Sequence, residues 1–474
     1  KACLNVVNLV IQHLIFFFSY LLLANIRTLP MKKRHQAILE QLKSKLMSKE
    51  FKDKSILSPK AFSRRRVWSF ANIISAHLNL MSKSLNVEIS RFLGLSRSTE
   101  GQSSSKQAFS QARSKIRWQG YEELNSTFVS SFYSTPPFET FKGYCVLGVD
   151  GTKYQLPSTD DTVARFGIGE GRHTMARGVK IYDCLNKVNL CCSIGAGSFS
   201  KGKHASEESL FDECLDKLGG ILRGTGVRPL LVGDRLYPSF YYLATLPAEG
   251  YDYLFRCRRG FCPEVVEFDT QGLSDAVLSI DLSKRARPKA KTVRRIPGGP
   301  RVLEVRCTRI PLEGAEDGFL LSSLTDRREV SPADLKALYW MRWEQETSFD
   351  RDKNMMEVEA LSSKSANGIL QEIYAALLAS NIGELIIGEA QEKLDLEMEG
   401  KKNKYPYKIN RSIAIGMIKD QIPIFIAGDK PLEQWFDSLV DKIARYREPV
   451  RLGRKFPRKR KNLAKYPMNK RRPT

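Results

Sequence analysis

Histidine is scarce in this chain, with five in 474 residues and no two close together. A His-based metal cluster and a serine-hydrolase triad therefore lack their obvious parts. Nine cysteines are present, but none forms a C-x2-C pair or stands near a histidine doublet, which argues against a structural zinc site. Their odd number and their spread over presumed strands predict reduced, buried thiols of a cytoplasmic protein. Residues 4–26, including Leu14-Ile15-Phe16-Phe17-Phe18, are apolar enough and long enough to span a bilayer. Met31-Lys32-Lys33-Arg34-His35 reads as a start followed by an amphipathic helix. Residues 1–30 are thus expected to lie upstream of the true start, with a membrane anchor or signal segment as the other reading.

The chain has 76 basic against 52 acidic residues, a formal charge of +24. That surplus points to a polyanionic partner, nucleic acid first. An apolar share of 42% is ordinary for a globular protein, and the length allows two or three domains.

From Met31 to about Pro137 the pattern is helical and basic, with Arg64-Arg65-Arg66 and a serine-rich break at 96–105. Residues 87–93 and 105–116 could be two helices of a helix-turn-helix-like unit. The second carries Lys106, Gln107, Gln111, Arg113 and Lys115, types that reach phosphates and base edges; an ordinary surface helix is the alternative. From Tyr144 the pattern turns to strands: 144–149 ending at Asp150, with 154–156 as its continuation beyond a bend, a hairpin of 179–184 with 188–194, and 229–233 ending at Asp234. A helix is expected over 205–218 and a strand over 251–255. Residues 256–326 read as a basic, proline-containing insertion with strands at 302–310 and 318–321. Ser331 as N-cap and Pro332 in the first turn open a long helix. Further helices are expected across 368–390 and 431–446. The tail from Arg451 has eleven Lys or Arg and no acid; it is either a DNA-clamping arm or a solubilising end.

That long helix carries the most specific pattern. Tyr339, Arg342, Glu346 and Lys353 stand at helical angles of roughly 0°, 300°, 340° and 320°, one stripe on a shared face. Leu338, Met341, Phe349 and Met356 fall beside it as an apolar band that can seat the helix on a core. The stripe offers one carboxylate with several groups able to hold phosphate oxygens; the bland reading is a solvated face with Arg342 and Glu346 as an i,i+4 pair. Joined to two strand-end aspartates, Glu346 completes the parts of a site in which carboxylates hold two Mg²⁺ ions for phosphoryl transfer.

These residues carry a resemblance. Gly148-Val149-Asp150-Gly151-Thr152, followed by Gln155-Leu156-Pro157 and Arg165-Phe166-Gly167, resembles the first-aspartate region of bacterial insertion-sequence DDE transposases. The stretch from Val232 to Phe240, with Asp234-Arg235-Leu236-Tyr237-Pro238-Ser239, is similar to their second-aspartate motif D-R-x-[FY]-x-S. The stripe matches their Y-x2-R-x3-E-x6-K pattern at all four positions. The similarity runs from about Lys106 to Lys353.

The resemblance implies an α/β fold: a ribonuclease H-like core, a mixed sheet flanked by helices, interrupted by a mainly β insertion, with helical N-terminal and C-terminal regions. The implied division is a helical DNA-binding domain at 31–140, the core at 141–255 and 327–390, the basic insertion at 256–326, and a helical region with a basic tail at 391–474. Asp150, Asp234 and Glu346 would be the catalytic metal ligands, with Mg²⁺ as cofactor and Mn²⁺ able to substitute. Tyr339, Arg342, Lys353 and Arg235, with Lys106 and Arg113, would contact DNA. The expected partners are terminal inverted repeats and target DNA, with a homodimer in the synaptic complex, no membrane, and a bacterial, nucleoid-associated location. In some relatives a tryptophan of the insertion stacks on a flipped base; residues 256–326 contain none, leaving Phe261 or Phe268 as stacking candidates. The alternatives are a ribonuclease H-like nuclease without strand transfer, or an inactive DNA-binding remnant.

Overall fold

The computed structural model describes residues 31–79, 82–97, 99–169, 173–197, 205–282, 301–310 and 318–451. The apolar 1–30 segment, the basic cluster within 284–295 and the tail beyond Arg451 lie outside them.

Six helices come first: α1 (Met31–Met47), α2 (Lys49–Ser55), α3 (Phe70–Leu78), α4 (Leu85–Leu93), α5 (Lys106–Arg113) and α6 (Gln119–Ser134). Serine side chains cap α2, α3 and α5, each accepting a backbone N–H of the first turn. The α/β part follows as β1 (Tyr144–Leu156), α7 (Asp160–Phe166), β2 (Thr174–Asp183), β3 (Asn189–Ala196), α8 (Glu207–Leu222), β4 (Arg228–Gly233), α9 (Phe240–Ala248) and β5 (Asp252–Cys257). Next come α10 (Pro263–Thr270), β6 (Asp275–Asp281), β7 (Val302–Ile310) and β8 (Gly318–Ser322). The chain continues through α11 (Pro332–Met341), α12 (Trp343–Asp350), a π-helical segment (Arg351–Met355) and α13 (Ala366–Met398). It closes with β9 (Tyr407–Ile409), α14 (Arg411–Ala427), α15 (Leu432–Ala444) and β10 (Arg447–Pro449).

Eight strands form one mixed sheet in the order β3-β2-β1-β4-β5-β8-β7-β6. β1, β4 and β5 run parallel, and the rest pair antiparallel. The strands of the 256–326 stretch thus continue the core sheet, because β8 pairs directly with β5. Sequence reading missed β6, whose inner side is screened by one buried residue, Ile280.

Alternate residues of β1 enter different cores, as a period of two requires. Cys145, Leu147 and Val149 join the cluster containing Leu210, Phe211, Cys214 and Leu218 of α8. Tyr144 and Val146 join Leu335, Leu338 and Met341 of α11. Each large apolar side chain buried there is worth roughly 1.5–3 kcal/mol. The eight cysteines among the described residues are free and buried, as expected.

The N-terminal helices dock on α13. Trp118 stacks on Tyr374 at 5.0 Å, and Gln371 donates to the carbonyls of Arg113 and Ile116. α13 is long and apolar enough to cross a membrane, yet 78% of its most apolar window is buried inside the protein. It is the core helix that α6, α14 and α15 pack around.

Candidate active site

The sheet's hydrogen-bond ladder places the two aspartates. β1 and β4 run parallel in register from Tyr144↔Arg228 to Val149↔Gly233, so Asp150 and Asp234 each directly follow the ladder's last rung on strands spaced about 4.8 Å apart. β1 itself runs on through Asp150 to Leu156, paired only with β2. Sequence reading expected Asp150 at a strand end; it is β4 that ends there, opening a crevice beside a continuing β1. Crevices at the carboxyl ends of parallel strands are where open α/β sheets bind ligands.

Glu346 comes from α12. Ser331 and Asp334 form a capping box at the start of α11, and Lys142, just before β1, donates to Asp334 Oδ2 at 2.6 Å. Gln345, fully buried, donates to the carbonyl of Lys180 on β2 at 3.2 Å. The approach is close enough that a Cβ at Gly148 would lie 3.0 Å from that of Gln345. Gly148 and Asp150 share a face of β1, so Glu346, next to Gln345, is carried to the side where Asp150 stands.

Arg342 links the two. Its Nη2 donates to Glu346 Oε1 at 3.0 Å, and its Nη1 lies 3.8 Å from Asp150 Oδ2. Only 9% of its side chain is exposed. Burial works against its charge, but Tyr339, Glu346 and Asp150 more than restore it and hold its pKa above the usual value. Asp150 shows the opposite balance. Burial first, and then the charges of Asp234 and Glu346, lift its carboxyl to about 6, against the lowering pull of the Gly151 N–H and Arg342. All three carboxylates therefore lie in one electrostatic neighbourhood. Among the described residues no three His, Cys, Asp or Glu side chains stand close enough to hold an ion as they are. The donor set, carboxylate oxygens only, suits a hard divalent cation such as Mg²⁺.

The expected single helix is two helices and a widened turn. The chain tightens at Arg342, whose N–H bonds the Tyr339 carbonyl, and widens over the π segment, where Met356 N–H reaches the Arg351 carbonyl. Buried partners account for the widening: Lys180 Nζ meets Asp352 Oδ2 at 2.6 Å, and Arg351 donates to the Tyr182 hydroxyl. The band Leu338, Met341, Phe349 and Met356 is buried as expected. Lys353 turns toward β1, donating to Thr152 Oγ1 at 2.7 Å and to the Lys153 carbonyl at 2.8 Å. Tyr339 is buried beneath Arg342, ring to guanidinium 5.6 Å.

Other expected DNA-contacting residues divide. Arg235 is exposed beside Asp234, and Lys106, Gln107, Gln111 and Lys115 are exposed on and just after α5. Arg113 is not available at the surface: it is 4% exposed, donates to Ser362 and to the Gly368 carbonyl, and pairs with Glu372 at 2.7 Å. Its helical phase turns it inward with Phe109 and Ala112, so it pins the N-terminal helices to α13. Phe268 is likewise walled in against Phe319, and Phe261 leans on Phe240. The exposed aromatics near the carboxylates are Trp340 and Trp343. One carboxylate at this crevice was not read from sequence. Glu207, at the first turn of α8, lies against Gly151, while in the sequence its neighbours give it only the look of a helix-start acid.

Residues 141–382 match the family described as "Transposase DDE domain". Over 361 residues the chain is 24% identical to "Transposase InsG for insertion sequence element IS4" of Escherichia coli (strain K12), covering 73% of this chain and 74% of that protein. A solved structure, a piggyBac transposase synaptic complex with hairpin DNA, aligns at 11% identity over 85% of each chain with a TM-score of 0.46.

Proposed function

The chain belongs to the DDE-domain transposase family and is an enzyme of that class, and from that premise we propose that it binds the terminal inverted repeats of its own insertion sequence, cuts them and joins them to target DNA. The observation that carries this reading is that Asp150 and Asp234 directly follow the last rung of one parallel ladder, with Glu346 brought to the same face and bridged to Asp150 by Arg342. In this reading Asp150, Asp234 and Glu346 hold two Mg²⁺ ions, and Mn²⁺ substitutes. Bound there, the ions supply Lewis acidity that activates a water or 3′-hydroxyl and stabilises the leaving oxygen.

The chain's own residues orient the DNA. Arg342 carries its charge at the carboxylates and can turn a guanidinium fork to a phosphate. Lys353 holds β1 just past Asp150 and stands ready for a backbone oxygen at the crevice. Tyr339 packs under Arg342 and limits its rotamers, while Arg235 lies exposed at the rim. Lys106, with the neighbouring exposed polar residues, would meet phosphates farther along the duplex. The core would be ribonuclease H-like, formed by 141–255 and 327–390, with 31–140 binding DNA, 256–326 as the insertion and 391–474 as the C-terminal region. Two copies would hold the paired ends in the bacterial cytoplasm at the nucleoid, without a membrane.

The test is cleavage of a labelled duplex bearing the element's end. Asp150→Ala, Asp234→Ala and Glu346→Ala should each abolish Mg²⁺-dependent cutting while retaining end binding in a gel-shift assay. Cutting by any of them at the wild-type rate would falsify the assignment.

A further inference from the structure

Asp150 and Gly151 are successive residues of β1, so their side-chain directions are opposite. On Gly151's side stands a carboxylate: a Cβ at this glycine would lie 2.5 Å from both Cδ and Oε1 of Glu207 and 2.8 Å from Oε2. Any side chain there would displace the carboxylate, so the glycine makes its close approach possible. Glu207 opens α8, which packs on the face of the sheet opposite α12. Its Oε1 accepts the Tyr237 hydroxyl at 3.1 Å. Tyr237 lies three residues beyond Asp234 and is 2% exposed, wedged against Phe211 and Gly233. Burial, then the charges of Glu207, Asp150 and Asp234, push the phenol well up from its usual value, so it stays a donor and senses three carboxylates at once.

A glutamate in the first turn of a helix is ordinarily explained by the helix dipole. Glu208 satisfies that role from an exposed position. What distinguishes Glu207 is its seat against the residue after Asp150 and the buried hydroxyl aimed at it. Among the described residues no lysine or arginine pairs with it.

We infer that Glu207 is a fourth carboxylate of the catalytic centre, positioned by Tyr237, that helps Asp150 hold a divalent cation at the end of the sheet. The centre then straddles that end, with α12 contributing from one face and α8 from the other. This rests on the cation reading proposed above, so the test separates the two.

Mn²⁺ uptake by the metal-free full chain, without DNA, is followed by the electron paramagnetic resonance signal of the free ion. Glu207→Gln keeps the shape and the acceptor for Tyr237, and thermal melts establish that it folds. It should raise the Mn²⁺ dissociation constant about tenfold, the size seen when one supporting group of a metal site is removed. Tyr237→Phe should raise it by less than Glu207→Gln does, and Glu208→Gln should leave it unchanged. Asp150→Asn should show the largest loss. Wild-type affinity in Glu207→Gln, with a loss in Asp150→Asn, would overturn the role of Glu207 alone. Equal affinity in wild type and Asp150→Asn, or no uptake by wild type, would overturn the cation reading along with it.

Discussion

Replacing Asp352 by asparagine should cost the fold about 3–5 kcal/mol, because it leaves the Lys180 ammonium buried without a counter-charge. The pair is as enclosed as any among the described residues, with side-chain exposures of 0% and 5% and an N–O distance of 2.6 Å. At an effective dielectric near 20, two unit charges so close attract by about 6 kcal/mol, and desolvation consumes most of that. The pair's net worth is therefore small, while the penalty for halving it is large. Lys180→Met with Asp352→Leu should consequently recover most of what either single change loses. The Phe349 ring 4.6 Å from the ammonium already supplies apolar lining for the methionine. Urea denaturation of the four proteins gives the cycle.

A pH signature accompanies it. Burial pushes the Lys180 ammonium below its usual value against the raising pull of Asp352 and Cys192, with Arg351 lowering it further. Without Asp352 the group falls further, so the unfolded chain binds the proton more readily than the folded one, and stability rises with pH. The deficit of Asp352→Asn should shrink as pH rises toward the ordinary lysine value. A deficit under about 1 kcal/mol, or a double variant no better than the worse single, would refute the reasoning.

Two further outcomes are expected. In EDTA, Asp150→Asn should be more stable than wild type at pH 8. A carboxyl lifted from 3.8 to about 6 contributes stability that is present below pH 4 and lost as pH rises through 6. The ceiling on the gain is about 3 kcal/mol, reduced by the lost contact with Arg342, and added Mg²⁺ should stabilise wild type alone. An asparagine variant less stable at pH 8 would show that the contact with Arg342 outweighs burial and the neighbouring carboxylates. Arg342→Ala and Lys353→Ala should each weaken binding of the element's end and reduce the slope of log affinity against log salt by about one; an unchanged slope would return that residue to a purely internal role.

Much of this site was legible in the chain because spacing carried it. Tyr339, Arg342 and Glu346 stay in contact, and Lys353 reaches β1 at Thr152, even though the backbone departs from an ideal helix. The departure was not legible, since the turn at 351–355 is widened by Lys180 and Tyr182, side chains some 170 positions earlier. Asp150 was recognised but misplaced, because a strand's end depends on which neighbour stops first, and β4 lies far along the sequence. Arg113 was taken for a surface residue from its type alone, and its helical phase with Phe109 would have corrected that. Glu207 carried no local mark, because an acid after Ser206 explains itself as a helix start. The attachment of β8 to β5 was equally hidden, since pairing partners leave no trace in either strand alone.

The alignment of Val149 with Gly233 also has an evolutionary consequence. The spacing between the two aspartates belongs to the ladder and owes nothing to the polypeptide that loops from one to the other. Drift can lengthen or shorten that excursion, hairpin and helix included, without moving either acid relative to its neighbour. Insertion of a single residue within 144–149 is another matter, for it would roll the first aspartate to the underside of the strand, away from the second.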